Sequence, residues 1–471
     1  MARLDRYLAE VRPTLTLAAP IIVAQVSQML MGVTDSAMIG HAGTVPLAAS
    51  AFAGNIFNLF FIAGIGLLVP VSIFVARARG AQTPREAAEY LRHGLALGVG
   101  FGLLETGVMV ALGWHLHRFG QPPEVLAIVR PFYLFYAVSL VPVLAFLALR
   151  QFAEAMGHPW APMFIMLASV GLNALLNWIF IYGNLGAPAW GLTGAGFATL
   201  LSRVAGVVAI YFWLRRDPRV REAWPAAGTN GSPGAAPGSA AAGAGGWLAP
   251  FSRARFREML HVGWPAAGML LFESTAFAFS GIMIGWLGAV PLAAHQIAIG
   301  CASMAFMVPL GLSMATGMRV SQATGAGERG RLRPIAFASI GLGLAVMAGF
   351  ALWFALGGRT IAGWFVPDDA VGALAARLLV VAAFFQMVDG VQVIAAASLR
   401  GILDVRVPVV ITLVAYWAIA LPLSYGLGIA GPWAATGVWI GIAGGLGFAA
   451  VFLLVRFARL TRDGARAGPG R

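Results

Sequence analysis

Apolar runs of about 20 residues, the length a helix needs to cross a bilayer core, recur along this whole chain between short polar stretches. They predict twelve spans, near residues 13–39, 46–76, 93–114, 126–149, 159–182 and 191–214, then 259–284, 292–318, 334–356, 372–398, 407–428 and 432–456. The pattern is written twice. IGHAGTVPLAAS at 39–50 returns as IGWLGAVPLAAH at 284–295, with eight of twelve positions identical. The same 245-residue offset pairs Pro20 with Pro265, Gly66 with Gly311, and Gly80-Ala81 with Gly325-Ala326. A weaker echo sets GHPWAPM at 157–163 against LDVRVPV at 403–409, each at the start of the fifth span of a half. The expected fold is therefore an all-α integral membrane protein, with twelve transmembrane helices in two parallel six-helix repeats. The duplicated stretch is a hairpin: Gly40 and Gly43 suit a tight turn, and Pro46 suits the first turn of the next helix, where its missing N–H costs nothing.

Composition agrees. The chain is 59% hydrophobic and only 10% charged, against about 25% charged in soluble domains. No cleavable signal is expected at the N-terminus, so the first apolar run is taken as a span. The net charge of +13 would suggest nucleic acid in a soluble protein. Here the arginines lie between spans, and no nucleic-acid partner is expected. Counted by loop, 26 of the 31 basic residues fall on one side, among them Arg77, Arg79, Arg150, Arg319, Arg400 and Arg456. Arginine bias orients helices, so both termini are expected in the cytoplasm. Six spans per half then make the halves parallel, with a pathway between them. The stretch 225–246 has no charge and no large side chain and reads as a flexible linker. The expected division is a bundle at 1–220, a linker at 221–250, a second bundle at 251–460 and a tail at 461–471. The single cysteine, Cys301, excludes an internal disulfide.

Candidate chemistry reduces to polar groups inside spans. Asp35, Glu105, Glu273 and Asp389 lie well within them. A carboxylate at the bilayer centre costs about 2.5–3.5 kcal/mol and usually faces a cavity or a partner. Glu273 sits in MLLFESTAFAF among Phe272, Phe277 and Phe279, where a carboxyl can carry a proton and the rings can support a cation. Asp389 has Gln386 and Gln392 three residues to either side, on one helical face. Asn173 and Asn177 share a face of the fifth span, and Gln25 and Gln28 a face of the first. Interhelical hydrogen bonds, worth about 0.6 kcal/mol each, are the plain alternative for these amides. Arg203, deep in the sixth span, needs a partner that the sequence does not name. Pro20 and Pro265 are expected to kink the first and seventh spans. No phosphate-binding loop, HExxH motif or GxSxG elbow occurs, so neither ATP nor an enzymatic site is expected.

MGVTDSAMIG followed by GTVPLAA, the FE of the seventh span, and QMVDGVQVIAAASLRGILD from the tenth together resemble the multidrug and toxic compound extrusion (MATE) transporters, closest to their NorM-type bacterial branch. The resemblance covers nearly the whole chain. It implies an antiporter of the bacterial cytoplasmic (inner) membrane, without a cofactor, that exports small organic cations in exchange for Na+ or H+ by alternating access. A monomer in the lipid bilayer is expected. By position, Asp35 resembles the first-span acid used for cation coupling. Glu273 and Asp389 are similar to a pair that binds Na+ in that branch. Asn173, Asn177, Gln28 and Gln386 are the expected polar positions of the cavities; where some relatives carry aspartate, this chain has Asn177. A rival expectation is a flippase for a lipid-linked precursor, which would line its cavity with cations.

Overall fold

The computed structural model describes residues 2–220, 223–224, 247 and 249–462; the expected linker stretch 225–246 and the tail beyond 462 lie outside them. The described residues contain no strand. The first half forms α1 (Ala2–His41), α2 (Thr44–Gly80), α3 (Pro84–Gly113), α4 (Pro123–Val138), α5 (Leu140–Ala155), α6 (Trp160–Tyr182) and α7 (Leu192–Arg216). The second forms α8 (Arg253–Trp286), α9 (Ala289–Gly325), α10 (Leu332–Gly363), α11 (Asp369–Gly401), α12 (Arg406–Leu413), α13 (Leu421–Ser424) and α14 (Ala434–Leu460).

Among the described residues, twelve helical stretches are long and apolar enough to cross a membrane, and they match the twelve expected spans. Two of them are not plain α-helices. The fourth is α4 and α5, interrupted at Ser139. Pro142 explains the interruption, since its ring clashes with the carbonyl four residues earlier, at Val138. The eleventh runs from α12 through wide turns at Val414–Ala420 and Tyr425–Ile429. The first of these lies just before Pro422, which displaces the ladder in the same way.

The repeat is visible in the backbone. Gly43 (φ 136) and Gly288 (φ 112) stand at equivalent turns, a conformation that side chains resist. Each accepts the first bond of the next helix, from Leu47 at 3.2 Å and from Leu292 at 3.2 Å. One equivalent pair breaks the rule. After α9 the left-handed position is Gly327 (φ 73), but after α2 it is Gln82 (φ 57). A side chain there costs about 1–2 kcal/mol, and glycine's greater unfolded freedom returns part of it. Gln82→Gly is therefore expected to stabilise the protein by about 1 kcal/mol, read as a higher thermal midpoint in detergent; a lower midpoint would contradict it.

The helices pack as two compact units, residues 23–267 and residues 1–22 with 268–471. The bundles expected at 1–220 and 251–460 therefore differ from the packed units by one exchanged segment each. The divisions fall at equivalent places, two residues beyond Pro20 and two beyond Pro265. Both prolines lie inside helices that continue through them. The reason for the exchange is close backbone approach at the repeated glycines. Within the 23–267 unit, Gly66 of α2 leaves room for the backbone of Ala267 on α8. Within the other unit, Gly311 of α9 leaves room for Ile22 on α1. Positions 22 and 267 are again 245 apart, so a Cβ at either glycine would meet equivalent backbone.

Each unit has its own apolar core. In the 23–267 unit Phe57, Met109, Phe132 and Tyr133 are buried together; in the other, Phe354, Phe385, Tyr416 and Trp439. Large apolar side chains such as Leu104, Phe164, Leu356 and Phe384 remain exposed on the helices, a surface suited to lipid.

Each unit also has an ion cluster, and the two occupy equivalent positions with the charges reversed. Glu10 of α1 accepts from Arg331 at 2.8 Å and also from Arg319. At the matching places, Arg255 of α8 donates to Glu86 at 2.9 Å, and also to Tyr90, Glu89 and Glu258. Glu10 corresponds to Arg255, and Arg331 to Glu86.

Candidate functional site

The 23–267 unit contains a cavity of about 220 Å³. Gln28 and Asp35 reach it from α1, Phe57 and Asn58 from α2, Tyr136 from α4, Arg150 from α5 and Arg203 from α7. Asp35 is half-buried. Its Oδ1 accepts from Nδ2 of Asn177 at 2.6 Å. The same amide nitrogen lies 3.3 Å from Oδ1 of Asn173, whose Nδ2 lies 3.5 Å from the Thr199 hydroxyl. Asn173 and Asn177 are both fully buried and are not among the residues that line this cavity. Their i, i+4 spacing on α6 puts both amides on the face behind Asp35, so they hold its carboxylate in place. Gln28 is among the residues that line the cavity.

Arg203 finds the partners that its sequence context could not name. It donates to Ser139 Oγ at 2.5 Å, and its guanidinium carbon lies 4.6 Å from the ring centre of Phe57 and 5.0 Å from that of Tyr136. The interruption at Ser139 presents that hydroxyl to α7. Arg203 and Asp35 are near enough for their charges to act on each other. Arg150, counted above as a loop arginine, is instead buried. It donates to Glu154 Oε1 at 2.6 Å and to Gln25 Oε1 at 2.8 Å. The i, i+4 spacing of Arg150 and Glu154 was the available signal for that pair.

The other unit brings Glu273 and Asp389 together. Their charges act on each other and reach the buried hydroxyl of Tyr416, which has no hydrogen-bond partner among the described residues. Glu273 also feels the charge of Arg400. Gln386 donates its amide to the carbonyl of Ala302 at 2.9 Å, which leaves its Oε1 free. That oxygen, Asp389 Oδ1 and Gln392 Oε1 are buried without a hydrogen-bond partner among the described residues. The three residues are spaced by three on α11 and so share a face. Bare carboxylate and amide oxygens are the ligands a hard cation prefers. Among the described residues no three His, Cys, Asp or Glu side chains gather as a metal site, so a cation here would depend on the amide oxygens as well. Tyr416 had no sequence signal, being one aromatic among many in its span. Glu273 stands at the repeat equivalent of Gln28, so one position carries an acid in one half and a neutral amide in the other. Glu105 joins neither group; it is buried with neither carboxyl oxygen bonded among the described residues.

Comparisons with known proteins identify the family and the fold. The MatE family model matches residues 20–179 and 265–426, two stretches that start at the equivalent prolines. A probable multidrug resistance protein NorM of Mesorhizobium japonicum is 33% identical, over 96% of this chain and 94% of its own. The multidrug resistance protein NorM of Burkholderia vietnamiensis is 34% identical, over 94% of this chain and 93% of its own. Among solved structures, a multidrug resistance MATE family transporter in an outward-facing conformation superposes with a TM-score of 0.84 over 96% of both chains, at 21% identity; at that identity the likeness concerns the fold.

Proposed function

The chain belongs to the MatE family, and on that premise we propose that it is a secondary antiporter exporting cationic, toxic organic compounds in exchange for Na+ or H+. The carrying observation is the placement of acidic groups. Asp35 stands at the wall of a membrane-embedded cavity, and Glu273 and Asp389 form a second acidic site among buried, unpaired oxygens. Efflux is supported by the relatives, which are named multidrug resistance proteins. In this reading Asp35 attracts the drug's positive charge, and the Glu273–Asp389 site takes the coupling ion. Ion and drug then exclude each other in turn, as linkage requires of two ligands with opposed effects. One entering cation draws about 2.3 kcal/mol per 100 mV from the membrane potential, enough to drive a neutral drug outward against a gradient. The arginine bias supports the bacterial cytoplasmic membrane with both termini in the cytoplasm.

The flippase reading needs a cavity dominated by cations. Arg150 is neutralised by Glu154, and Asp35 opposes Arg203, so the cavity does not have that character. The deciding experiment reconstitutes the purified chain in vesicles and follows a fluorescent organic cation under an imposed pH gradient, then under an imposed Na+ gradient. Counter-movement with one of the two is expected. Movement with neither would refute antiport.

A further inference from the structure

We propose that His93 is a proton-released latch on α8: its neutral ring caps the start of that helix, and protonating the ring lets the helix start go. The inference stands apart from the antiport reading, since His93 belongs to neither acidic site, although the helix it holds carries Glu273 further along. It begins with an unmet need at the helix terminus. Ser252 is the N-cap of α8: its carbonyl accepts from the Phe256 amide at 3.2 Å, and its hydroxyl accepts from the Arg255 amide at 3.4 Å. The backbone N–H of an N-cap residue has no partner within its own helix. A glutamate or glutamine three residues on commonly accepts it. That place in α8 is taken by Arg255, whose side chain has only donors. The acceptor comes from α3 instead: the Ser252 amide donates to Nε2 of His93 at 2.9 Å.

These contacts fix the state of the ring. A backbone amide can only donate, so Nε2 carries no proton. Nδ1 lies 2.7 Å from the carbonyl of Glu89, which can only accept, so the proton is on Nδ1. Both nitrogens are used, one in each role, and a second proton would set N–H against N–H at Ser252. The ring is 1% exposed, packed at steep angles against Phe251 and Phe256 with ring centres 5.3 Å and 4.8 Å away. Beside it, Arg92 donates to the carbonyl of Pro250 at 3.0 Å and holds the approach to α8 on α3. The charges that act on the ring are Arg92 and Glu89 of α3 and Arg255 of α8. Arg255 in turn is tied to Glu86, Glu89, Tyr90 and Glu258. The side that α2 turns to this stretch is apolar, with Val71 against Gly94 and Phe74 stacked on Tyr90. A proton therefore enters when the 250–256 segment lifts. The open form binds it and the closed form does not. Closure is at full strength above about pH 6.5, the ordinary histidine value, and weakens as the pH falls below it.

The test is amide hydrogen exchange in the full-length purified protein, followed by mass spectrometry on peptides covering 250–258. Rates are referred to the start of α9, whose N-cap Gly288 makes no side-chain cap, which cancels the intrinsic effect of pH on exchange. In the wild type, relative protection of the α8 start is expected to fall about tenfold between about pH 7.5 and about pH 5.5, the ratio given by a ring that titrates near 6.5 only in the open form. This comparison needs no variant, and unchanged relative protection would overturn the proposal. His93→Gln offers Ser252 an acceptor that does not titrate, and it is expected to keep the protection at both pH values. His93→Phe keeps a ring but removes the acceptor, and it is expected to lose protection at both. A fall with pH that persists undiminished in His93→Gln would assign the response to another group, such as the carboxylates around Arg255, and overturn the latch. So would a His93→Phe protein as well protected as the wild type at the higher pH.

Discussion

Glu273→Gln and Asp389→Asn are each expected to abolish ion-coupled export while leaving the protein in the membrane at normal levels. Two negative charges side by side in a low-dielectric interior repel by several kcal/mol unless a cation shares them. These two acids stand where each feels the other, with the unpartnered hydroxyl of Tyr416 within range of both charges and bare oxygens of Gln386 and Gln392 on the same helix as Asp389. Either amide replacement keeps the side chain's shape and hydrogen-bonding reach but removes the charge that would bind Na+ or take up H+. Insertion should not suffer, because a neutral amide is no harder than a carboxylate to place in a bilayer. The loss should be at least tenfold in gradient-driven efflux, and the double variant should be little worse than either single, since residues serving one step are not additive. Efflux and ion-dependent drug affinity in the purified variants check this. If the double variant keeps the wild-type response to the ion, coupling must reside elsewhere, with Asp35 the next residue to examine.

Much of the architecture was legible in the sequence, for a reason particular to membranes. The bilayer demands helices of one length with their backbone bonds closed internally, so apolar runs translate almost directly into spans. The repeat was legible because its turns need glycine at φ values that other residues resist, as at Gly43 and Gly288. The exchanged segments were not. Gly66 and Gly311 could be read as a pair, but nothing in the sequence says that Ala267 and Ile22 press against them. The interruption of the fourth span was signalled by Pro142, yet a proline is often tolerated inside a membrane helix, so the span read as continuous. The acids of the candidate sites were found because a charge inside an apolar run is conspicuous. Their neighbours were harder. Asn177 could be placed on a helix face but not beside Asp35, which is 142 positions away, and Arg150 looked like an arginine at a span edge until its burial against Glu154 was visible.

Glu10→Gln is expected to be among the most destabilising polar substitutions in the protein, and far more so than Arg255→Gln at the equivalent position. Glu10 and Arg319 are only 6% and 8% exposed. Glu10 meets Arg319 through its side chain and Arg331 at 2.8 Å, and its backbone carbonyl accepts from Arg319 at 2.9 Å. Without the acid, Arg319 stays buried and uncompensated beside a second arginine, and breaking a buried pair costs about 3–5 kcal/mol. The reversed cluster around Arg255 is wetter, with side chains 24% to 46% exposed. Its ion pairs should contribute about 1 kcal/mol or less each. The same repeat position thus carries unequal weight, and the inequality follows from burial rather than from the number of contacts. A second variant separates charge from packing. Glu10→Gln combined with Arg319→Gln removes the stranded charge as well, and it should recover a good part of the loss suffered by Glu10→Gln alone. Thermal unfolding of the purified proteins in detergent reads all three differences. Equal shifts for Glu10→Gln and Arg255→Gln, or a double variant less stable than the Glu10 single, would show that the cluster on α1 holds its unit together by something other than the burial of opposite charges.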